Sequence, residues 1–203
     1  MKLLVATRSP GKTREIRELF VGLPFEVLFP PDLHLERLSE EAELERSDTY
    51  AENAVAKARF FAERSGIATV ADDSGIEVAA LGGAPGPRSA RFAADAGASD
   101  AANNALLLER LSGVAPEART ARYRCVVAYL ETPGSSPELV EATTEGRILE
   151  APLGSGGFGY DPLFWSEELQ QSFGEAGAAA KHRVSHRGRA FRALIEVLLR
   201  RAT

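Results

Sequence analysis

The amino-acid sequence predicts an α/β protein with a mixed β-sheet flanked by helices, and three observations support this class. Short apolar runs that fit strands buried on both faces alternate along the chain with amphipathic stretches that fit helices. Residues 121–131 and 138–150 flank the turn-forming segment 132–137, which is typical of a long antiparallel pair. Alternating strands and helices favour a parallel sheet, so the added pair makes the predicted sheet mixed.

The N-terminal part of the chain alternates strand and helix. Residues 2–6 predict a buried strand, and residues 11–22 place apolar side chains on one helical stripe that ends at Gly22. Residues 25–32 predict a second short strand that is closed by two prolines. Residues 34–48 are acidic and weakly periodic, so we expect an irregular segment or a short helix.

The clearest predicted helix covers residues 49–66, where Thr49 and Glu52 have the spacing of a capping box and Gly66 ends the helix. Four residues at helical spacing form its predicted buried face: Ala51, Val55, Ala58 and Ala62. After this helix, residues 67–71 predict a buried strand that is followed directly by Asp72, and residues 80–93 form a Gly/Pro-rich loop. A helix is predicted at 100–113 and a glycine-rich loop at 154–162. The last element is an amphipathic helix at 185–201 with Ser185 as its N-cap.

Length, charge and cysteine content narrow the class of protein. The 203 residues suffice for one sizeable core, built as a single domain or as two lobes around a cleft. The formal net charge of −5 disfavours a general nucleic-acid surface, so an anion site must be a local basic pocket. The single cysteine, Cys125, excludes an internal disulfide and fits a reducing compartment. We find no signal peptide and no apolar stretch that could cross a bilayer, so we expect a cytoplasmic protein without a membrane partner.

Residues 5–13 combine several anion donors at the start of the first predicted helix. A helix N-terminus presents unpaired N–H groups, Lys12 adds a full positive charge, and Thr7 can add a hydroxyl. The stretch is also one residue away from a Walker phosphate loop, which makes a P-loop nucleotide kinase the alternative enzyme. However, Pro10 has no N–H and Ala6 replaces the first glycine, so the Walker ring of amides is incomplete. A capped turn without a ligand is the other interpretation.

Asp72 and Asp73 follow the apolar run 67–71 directly. Adjacent side chains of an extended chain point to opposite sides, so one carboxylate can face a substrate while the other holds the turn. Carboxylate oxygens suit Mg²⁺, which usually takes one or two carboxylates together with substrate phosphates. A solvated Asp-Asp-Ser-Gly turn is the alternative, and the strand of a P-loop enzyme would also end in an aspartate.

Two later stretches could bind the rest of a nucleotide. The glycines of residues 154–162 allow a flat ligand to approach the backbone closely, and Phe158 or Tyr160 could stack on a base. A flexible loop with a core aromatic is the alternative. Residues 181–189 place cations at the start of the last predicted helix, against its dipole, unless an anionic or carbonyl-bearing ligand offsets them. A solvated basic patch or an RNA-binding strip is the alternative here.

These stretches, in this order, resemble the HAM1/RdgB-like family of nucleoside triphosphate pyrophosphatases, which remove inosine, deoxyinosine and xanthosine triphosphates. The resemblance is carried by residues 5–12, 49–58, 71–91, 156–164 and 181–190. It implies one domain over residues 1–203, with an elongated mixed α/β fold, two lobes and a central substrate cleft. It further implies a homodimer, Mg²⁺ as cofactor, and no nucleic-acid partner. The implied reaction converts a non-canonical purine triphosphate and water into the monophosphate and pyrophosphate.

The resemblance also implies roles for individual residues. Asp73 would be the general base and a metal ligand, with Glu45 as the second metal ligand and Glu43 as its fallback. Substrate would be bound by residues of each matched stretch. The phosphate-binding loop would be formed by Thr7, Arg8, Ser9, Pro10, Gly11 and Lys12, Lys57 would reach the phosphates, and Ser74 would touch substrate beside Asp73. The base pocket would be lined by Phe158, Gly159, Tyr160 and Asp161, and the site would be completed by Lys181, His186 and Arg187, the last two near the base.

Two positions depart from the family pattern. Ser9 stands where the family commonly has asparagine, and it offers a hydroxyl in place of an amide. The segment after Glu45 lacks the glycine-containing turn that usually follows the family's upstream acid. Selection of hypoxanthine and xanthine over adenine needs a donor aimed at the six-position carbonyl, for which His186, Arg187 or a backbone N–H is a candidate.

Overall fold

The structure is a computed structural model that describes residues 1–94 and 98–201. Its strands are β1 (Lys2–Val5), β2 (Glu26–Leu28), β3 (Thr69–Val78), β4 (Thr120–Leu130), β5 (Glu138–Ile148), β6 (Phe164–Ser166) and β7 (Gln171–Ser172). Within the described ranges they form a seven-stranded sheet in the order β2-β1-β3-β4-β5-β6-β7. β1 runs parallel to β2 and β3, whereas β6 runs antiparallel to β5 and β7. The predicted α/β class with a mixed sheet is confirmed.

The helices are α1 (Pro10–Leu19), α2 (Tyr50–Ser65), α3 (Asp100–Arg110), α4 (Ala178–Val184) and α5 (His186–Arg201). Hydroxyl side chains cap four of them, as the backbone N–H groups at Lys12, Glu52, Ala102 and Gly188 donate to Ser9, Thr49, Ser99 and Ser185. Gly66, with a φ of 70°, ends α2 as predicted. The acidic segment 34–48 contains a 3-10 turn over Ser39–Glu43, and α4 is an element that the pattern did not predict. No helix of the described chain is long and apolar enough to span a membrane.

Contacts divide the chain into two compact units, each with its own core. The first unit contains Met1–Asp73, Cys125–Glu141 and the residues from Ala190 onward, and the second contains Ser74–Arg124 and Ala142–Arg189. The first core is built from buried residues of β1, α2, β3 and β4, including Leu4, Ala58, Phe61, Ala71 and Val126. The second core is richer in aromatic residues and includes Leu107, Tyr123, Tyr160, Phe164 and Phe173.

Two predictions about elements that carry site residues are wrong in part. The strand predicted to end at Asp72 continues through Asp73 and Gly75 to Val78, because both carboxylates are buried and have partners that allow them to stay in the sheet. The Asp-Asp-Ser-Gly stretch is therefore extended strand and not a turn. The predicted buried face of α2 is also displaced, since Asn53 and Lys57 are buried while Val55 is only partly buried.

Candidate functional site

The N-terminus of α1 is organised by two hydroxyl groups. The backbone N–H of Ser9 donates to Thr7 Oγ1 at 3.2 Å, and the backbone N–H of Lys12 donates to Ser9 Oγ at 3.4 Å. Pro10 occupies the first turn, where its missing N–H costs no helical hydrogen bond. The arrangement is a capped helix start preceded by a hydroxyl-bearing loop, and it differs from a Walker loop in using proline and side-chain oxygens where that loop uses successive amides.

Lys12 lies over β3. Its Nζ is 2.9 Å from Asp72 Oδ2 and 3.4 Å from the Asp72 carbonyl oxygen, and the carboxylate of Asp72 is 1% exposed. The thiol of Cys125 is 3.9 Å from the same carboxylate oxygen. Asp72 therefore holds Lys12 at the start of α1. Cys125 is a buried neighbour of this pair, as the apolar run around it predicts.

Arg8 is placed differently from its expected role. Its guanidinium donates to both carboxylate oxygens of Glu41, at 2.5 and 2.7 Å, and to the carbonyl oxygens of Leu35 and Glu36. Hydrogen bonds from Arg8 and from the Leu38 N–H outweigh the effect of burial and lower the pKa of Glu41. In this structure Arg8 therefore bonds to the acidic segment 35–41. Its contact with substrate stays a prediction.

The carboxylate of Asp73 lies in a charged cluster of the first unit. Lys57 is buried on α2 and pairs with Glu45. The charge of Lys57 lowers the pKa of Glu45, and the surrounding carboxylates raise the pKa of Lys57 although burial opposes its charge. Burial raises the pKa of Asp73, because it outweighs the opposing charges of Lys57 and Lys12.

The donor set of this cluster fits Mg²⁺. Glu45 and Asp73 are both carboxylates, and the charge of Glu45 raises the pKa of Asp73, which is the repulsion that a dication relieves. In residues 1–94 and 98–201 no group of three or more His, Cys, Asp or Glu side chains could hold a metal ion by itself. Two carboxylates completed by substrate phosphates are the usual magnesium arrangement. Glu43 is exposed and pairs with Arg46 at 3.1 Å, which favours Glu45 over Glu43.

In the second unit, Phe158 lies beside two cations. Its ring centroid is 5.2 Å from Lys181 Nζ and 5.4 Å from Arg187 Cζ, and the ring is half-buried. Arg187 Nη2 also donates to Ser74 Oγ at 2.7 Å. Aromatic faces attract cations, so these contacts hold Lys181 and Arg187 close to one ring. The predicted residues Ser74, Arg187, Phe158 and Lys181 are thus linked in series, each contacting the next.

Asp161 organises the glycine-rich loop from inside. Its carboxylate accepts from the Phe158 N–H at 2.8 Å and pairs with Lys181, and it is 3% exposed. Gly157 has a φ of 74°, and a Cβ on it would collide with the Asp161 carboxylate, so this glycine is required. Asp161 acts here on the loop itself, while its contact with a base remains a prediction.

Tyr160 and His186 are both buried. The Tyr160 hydroxyl donates to the Ser89 carbonyl at 2.8 Å, and its ring belongs to the second core. This position does not favour Tyr160 for stacking on a base, and stacking by Phe158 stays a prediction. Burial raises the pKa of Tyr160. The His186 ring stacks on Tyr123, with centroids 4.5 Å apart and planes 4° apart. His186 is therefore held in one plane at the start of α5.

The backbone of Gly159 is held by α3. Its N–H donates to Asp100 Oδ2 at 2.6 Å, and its carbonyl accepts from Asn104 Nδ2 at 3.1 Å. The other amide atom, Asn104 Oδ1, is buried and has no hydrogen-bond partner among the described residues. The first two turns of α3 thus hydrogen-bond to the loop at Gly159, immediately after Phe158.

Sequence reasoning missed four residues of this arrangement: Asn53, Asp100, Asn104 and Tyr123. Asn53 and Asn104 interrupt apolar helical faces, which is a signal that the pattern contains, although it does not show which partner each amide finds. Tyr123 is indistinguishable from a core aromatic in a strand. Its contact with His186 joins residues that lie far apart in the chain, so no local pattern reveals it.

The chain is similar in sequence to proteins of one known family. The sequence model of the Ham1 family matches residues 3–197. The dITP/XTP pyrophosphatase of Thermus thermophilus is 45% identical over 196 residues, covering 97% of this chain and 91% of that protein. That of Desulforamulus reducens is 44% identical, with 98% and 96% of the two chains covered.

The chain is also similar in fold to solved structures of the same family. A HAM1 protein from Coxiella burnetii superposes with a TM-score of 0.86 at 33% identity, covering 98% of this chain and 99% of that one. The Staphylococcus aureus Ham1 protein gives a TM-score of 0.82 at 31% identity, with 98% of each chain covered. The chain belongs to the Ham1 family.

Proposed function

We propose that the protein hydrolyses non-canonical purine nucleoside triphosphates, namely dITP, ITP and XTP, to the monophosphate and pyrophosphate. The observation that carries this proposal is the position of Asp73. It is a buried carboxylate with a raised pKa, close to the charges of Lys12 and Lys57. A carboxyl group perturbed in this way beside phosphate-binding cations is suited to act as a base on water. The names of the relatives, dITP/XTP pyrophosphatases, support the same activity.

The polyphosphate binds to the first cluster. Lys12, at the start of α1, and Lys57, on α2, neutralise negative charge that would otherwise repel an incoming nucleophile. Thr7 and Ser9 supply hydroxyl groups to the same loop. Asp73 and Glu45 would hold Mg²⁺, which would neutralise phosphate charge and polarise the phosphoryl oxygens.

Asp73 orients a water molecule and takes its proton as the water oxygen attacks the α-phosphorus. The bond between the α-phosphorus and the bridging oxygen breaks, and pyrophosphate leaves with that oxygen. A positioned base typically contributes about 10²–10⁴-fold. Cleavage at the α-phosphorus removes the nucleotide from use by a polymerase in one step, which is how the activity cleanses the nucleotide pool.

The purine binds to the second cluster. The half-buried face of Phe158 stacks on the base, and Lys181, His186 and Arg187 supply donors for the six-position carbonyl. Adenine would place an amino group against such a donor and leave a buried polar group unpaired. Discrimination of this kind reaches about 10⁴–10⁵-fold.

A homodimer, a cytoplasmic location and the absence of a nucleic-acid partner complete the proposal. They rest on the family resemblance, the single cysteine and the net charge of −5. The P-loop kinase alternative loses its support, because the family match covers residues 3–197 and the loop is a hydroxyl-capped helix start.

The test is to incubate the purified protein with dITP and Mg²⁺ and to resolve the phosphorus products. We expect dIMP and pyrophosphate in equal amounts, loss of activity with a chelator, and much slower turnover of dATP. Formation of dIDP and orthophosphate would contradict cleavage at the α-phosphorus. Transfer of phosphate from ATP to an acceptor nucleotide would favour the kinase instead.

A further inference from the structure

Asn53 is a fully buried polar residue on the core-facing side of α2. Its side chain makes three hydrogen bonds. Nδ2 donates to Asp73 Oδ2 at 2.9 Å and to the Ser47 carbonyl at 3.2 Å, while Oδ1 accepts from the Ser47 N–H at 2.9 Å. One amide therefore joins the carboxylate of Asp73 to the backbone of the segment that contains Glu45.

These partners determine which residue type can occupy the position. The Ser47 N–H requires an acceptor, whereas the Ser47 carbonyl and the Asp73 carboxylate both require donors. A primary amide supplies one oxygen acceptor and two N–H donors, and all three groups are used here. An aspartate of the same shape would keep only the acceptor, and it would set a second negative charge against Asp73.

We propose that Asn53 is a positioning residue that fixes the catalytic carboxylate of Asp73 and, through Ser47, the segment that carries Glu45. This inference rests on the proposed function. A buried carboxylate with a single orientation can hold water in line with the α-phosphorus, and a displacement of about 1 Å at such a group can cost 10²-fold in rate.

The second unit contains an asparagine, Asn103, whose setting resembles that of Asn53 and which can serve as a control. Asn103 is buried on α3 and donates its backbone N–H to the N-cap residue Ser99, as Asn53 does to Thr49. Its side chain likewise tethers the segment before the helix, with Oδ1 accepting from the Ala93 N–H and Nδ2 donating to the Ala90 carbonyl. Within the described residues the Asn103 side chain bonds to backbone groups alone. Asn103 therefore shares the tethering role of Asn53 but has no bond to a carboxylate of the proposed site.

The experiment compares Asn53→Asp and Asn53→Ala with Asn103→Asp and Asn103→Ala in the full chain. All four are assayed for pyrophosphate release from dITP well below their melting temperatures. For both Asn53 variants we expect kcat to fall by about 10–10²-fold while KM stays within about threefold. For both Asn103 variants we expect kcat within about twofold of the unsubstituted protein and a comparable loss of Tm.

A second readout needs no turnover. Without substrate, Mg²⁺ should raise the Tm of the unsubstituted protein and of Asn103→Ala, and it should raise the Tm of Asn53→Ala by less. Equal losses of kcat at the two asparagines, or a rise in KM alone at Asn53, would overturn the proposal, as would an undiminished Mg²⁺ shift in Asn53→Ala. If the unsubstituted protein releases no pyrophosphate, the proposed function fails, and the Mg²⁺ comparison still tests whether Asn53 orders the carboxylates.

Discussion

The ionisation of Asp73 has opposite consequences for catalysis and for stability. Its pKa is raised because burial outweighs the favourable charges of Lys57 and Lys12, so an ionised Asp73 lowers the free energy of unfolding of the metal-free protein. The same ionised carboxylate is the form that can bind Mg²⁺ and accept a proton from water. The catalytic role proposed for Asp73 would therefore come at a cost in stability, as is common for active-site groups.

We predict that Asp73→Asn lowers kcat by about 10²–10⁴-fold and raises the Tm of the metal-free protein. Asparagine keeps the shape and can accept from Asn53, but it removes the buried charge. The gain should be about 2–4 °C for each kcal/mol of relief in a chain of this size. Scanning calorimetry in the presence of a chelator measures the Tm, and pyrophosphate release measures kcat.

The pH dependence of this stability difference has a definite sign. Because the pKa of Asp73 is higher in the folded than in the unfolded chain, the excess stability of Asp73→Asn is complete above the folded pKa. It declines as the pH falls through that pKa and is gone below the unfolded pKa, where both proteins carry a neutral group. A Tm difference that grows on acidification, or a variant with near-normal turnover, would show that Asp73 is not this base.

Among the elements, those set by local signals were predicted well. The caps at Thr49 and Ser185 and the stop at Gly66 depend on bonds within one or two turns, which residue spacing reveals. The predicted range of β3 is too short at its C-terminal end, because two adjacent aspartates are typical of a strand end. Whether an aspartate can remain in a strand depends on Lys12 and Asn53, which lie far away in sequence, so no local pattern contains that information.

In the candidate site, too, features set by local sequence could be predicted, whereas contacts between distant segments could not. Most of its residues were predicted because they lie in stretches that resemble the family, but the resemblance carries no contacts. It could not show that Arg8 bonds with Glu41, that Tyr160 belongs to the core, or that α3 holds Gly159. Each of these depends on where a distant element packs.

The hydrogen bonds from α3 to Gly159 lead to a prediction about which purine base the protein prefers. Asp100→Asn weakens the charge-assisted bond to the Gly159 N–H, and Asn104→Leu removes the bond to its carbonyl. Both changes loosen the loop beside Phe158 and leave Asp73 untouched. We expect KM for dITP to rise by about 3–10-fold with kcat nearly unchanged, and the preference for dITP over dATP to shrink.

Steady-state kinetics with dITP and dATP provide the measurement, and Glu109→Gln on the exposed side of the same helix is the control. A fall in kcat at unchanged KM in the α3 variants would mean that this helix acts on the chemical step and not on the base.

At the scale of the whole molecule, an acidic chain buries three of the six basic side chains in residues 181–189, its most basic stretch. The formal net charge is −5, and Lys181, His186 and Arg187 are between 3% and 5% exposed. Lys181 pairs with Asp161, and Arg187 donates to Ser74. These three residues are therefore not part of a solvated patch, although Arg183 of the same stretch is exposed. The charge of the three buried residues can act only on a ligand small enough to enter the fold. The absence of RNA binding stays a prediction.

This leads to a prediction that separates the protein from a polyanion-binding module. Binding to a nucleic-acid backbone gains free energy by releasing counterions from exposed cations, and buried lysine and arginine cannot contribute. We expect no saturable binding of a fluorescent single-stranded RNA at about 50 mM salt, up to about 10⁻⁵ M protein, where non-specific binders of this class already respond. Fluorescence anisotropy provides the measurement, and pyrophosphate release from dITP in the same buffer, unaffected by excess RNA, is the matched positive control. A saturable anisotropy increase that falls steeply with added salt would place an accessible basic surface on the molecule and would contradict the burial of these cations.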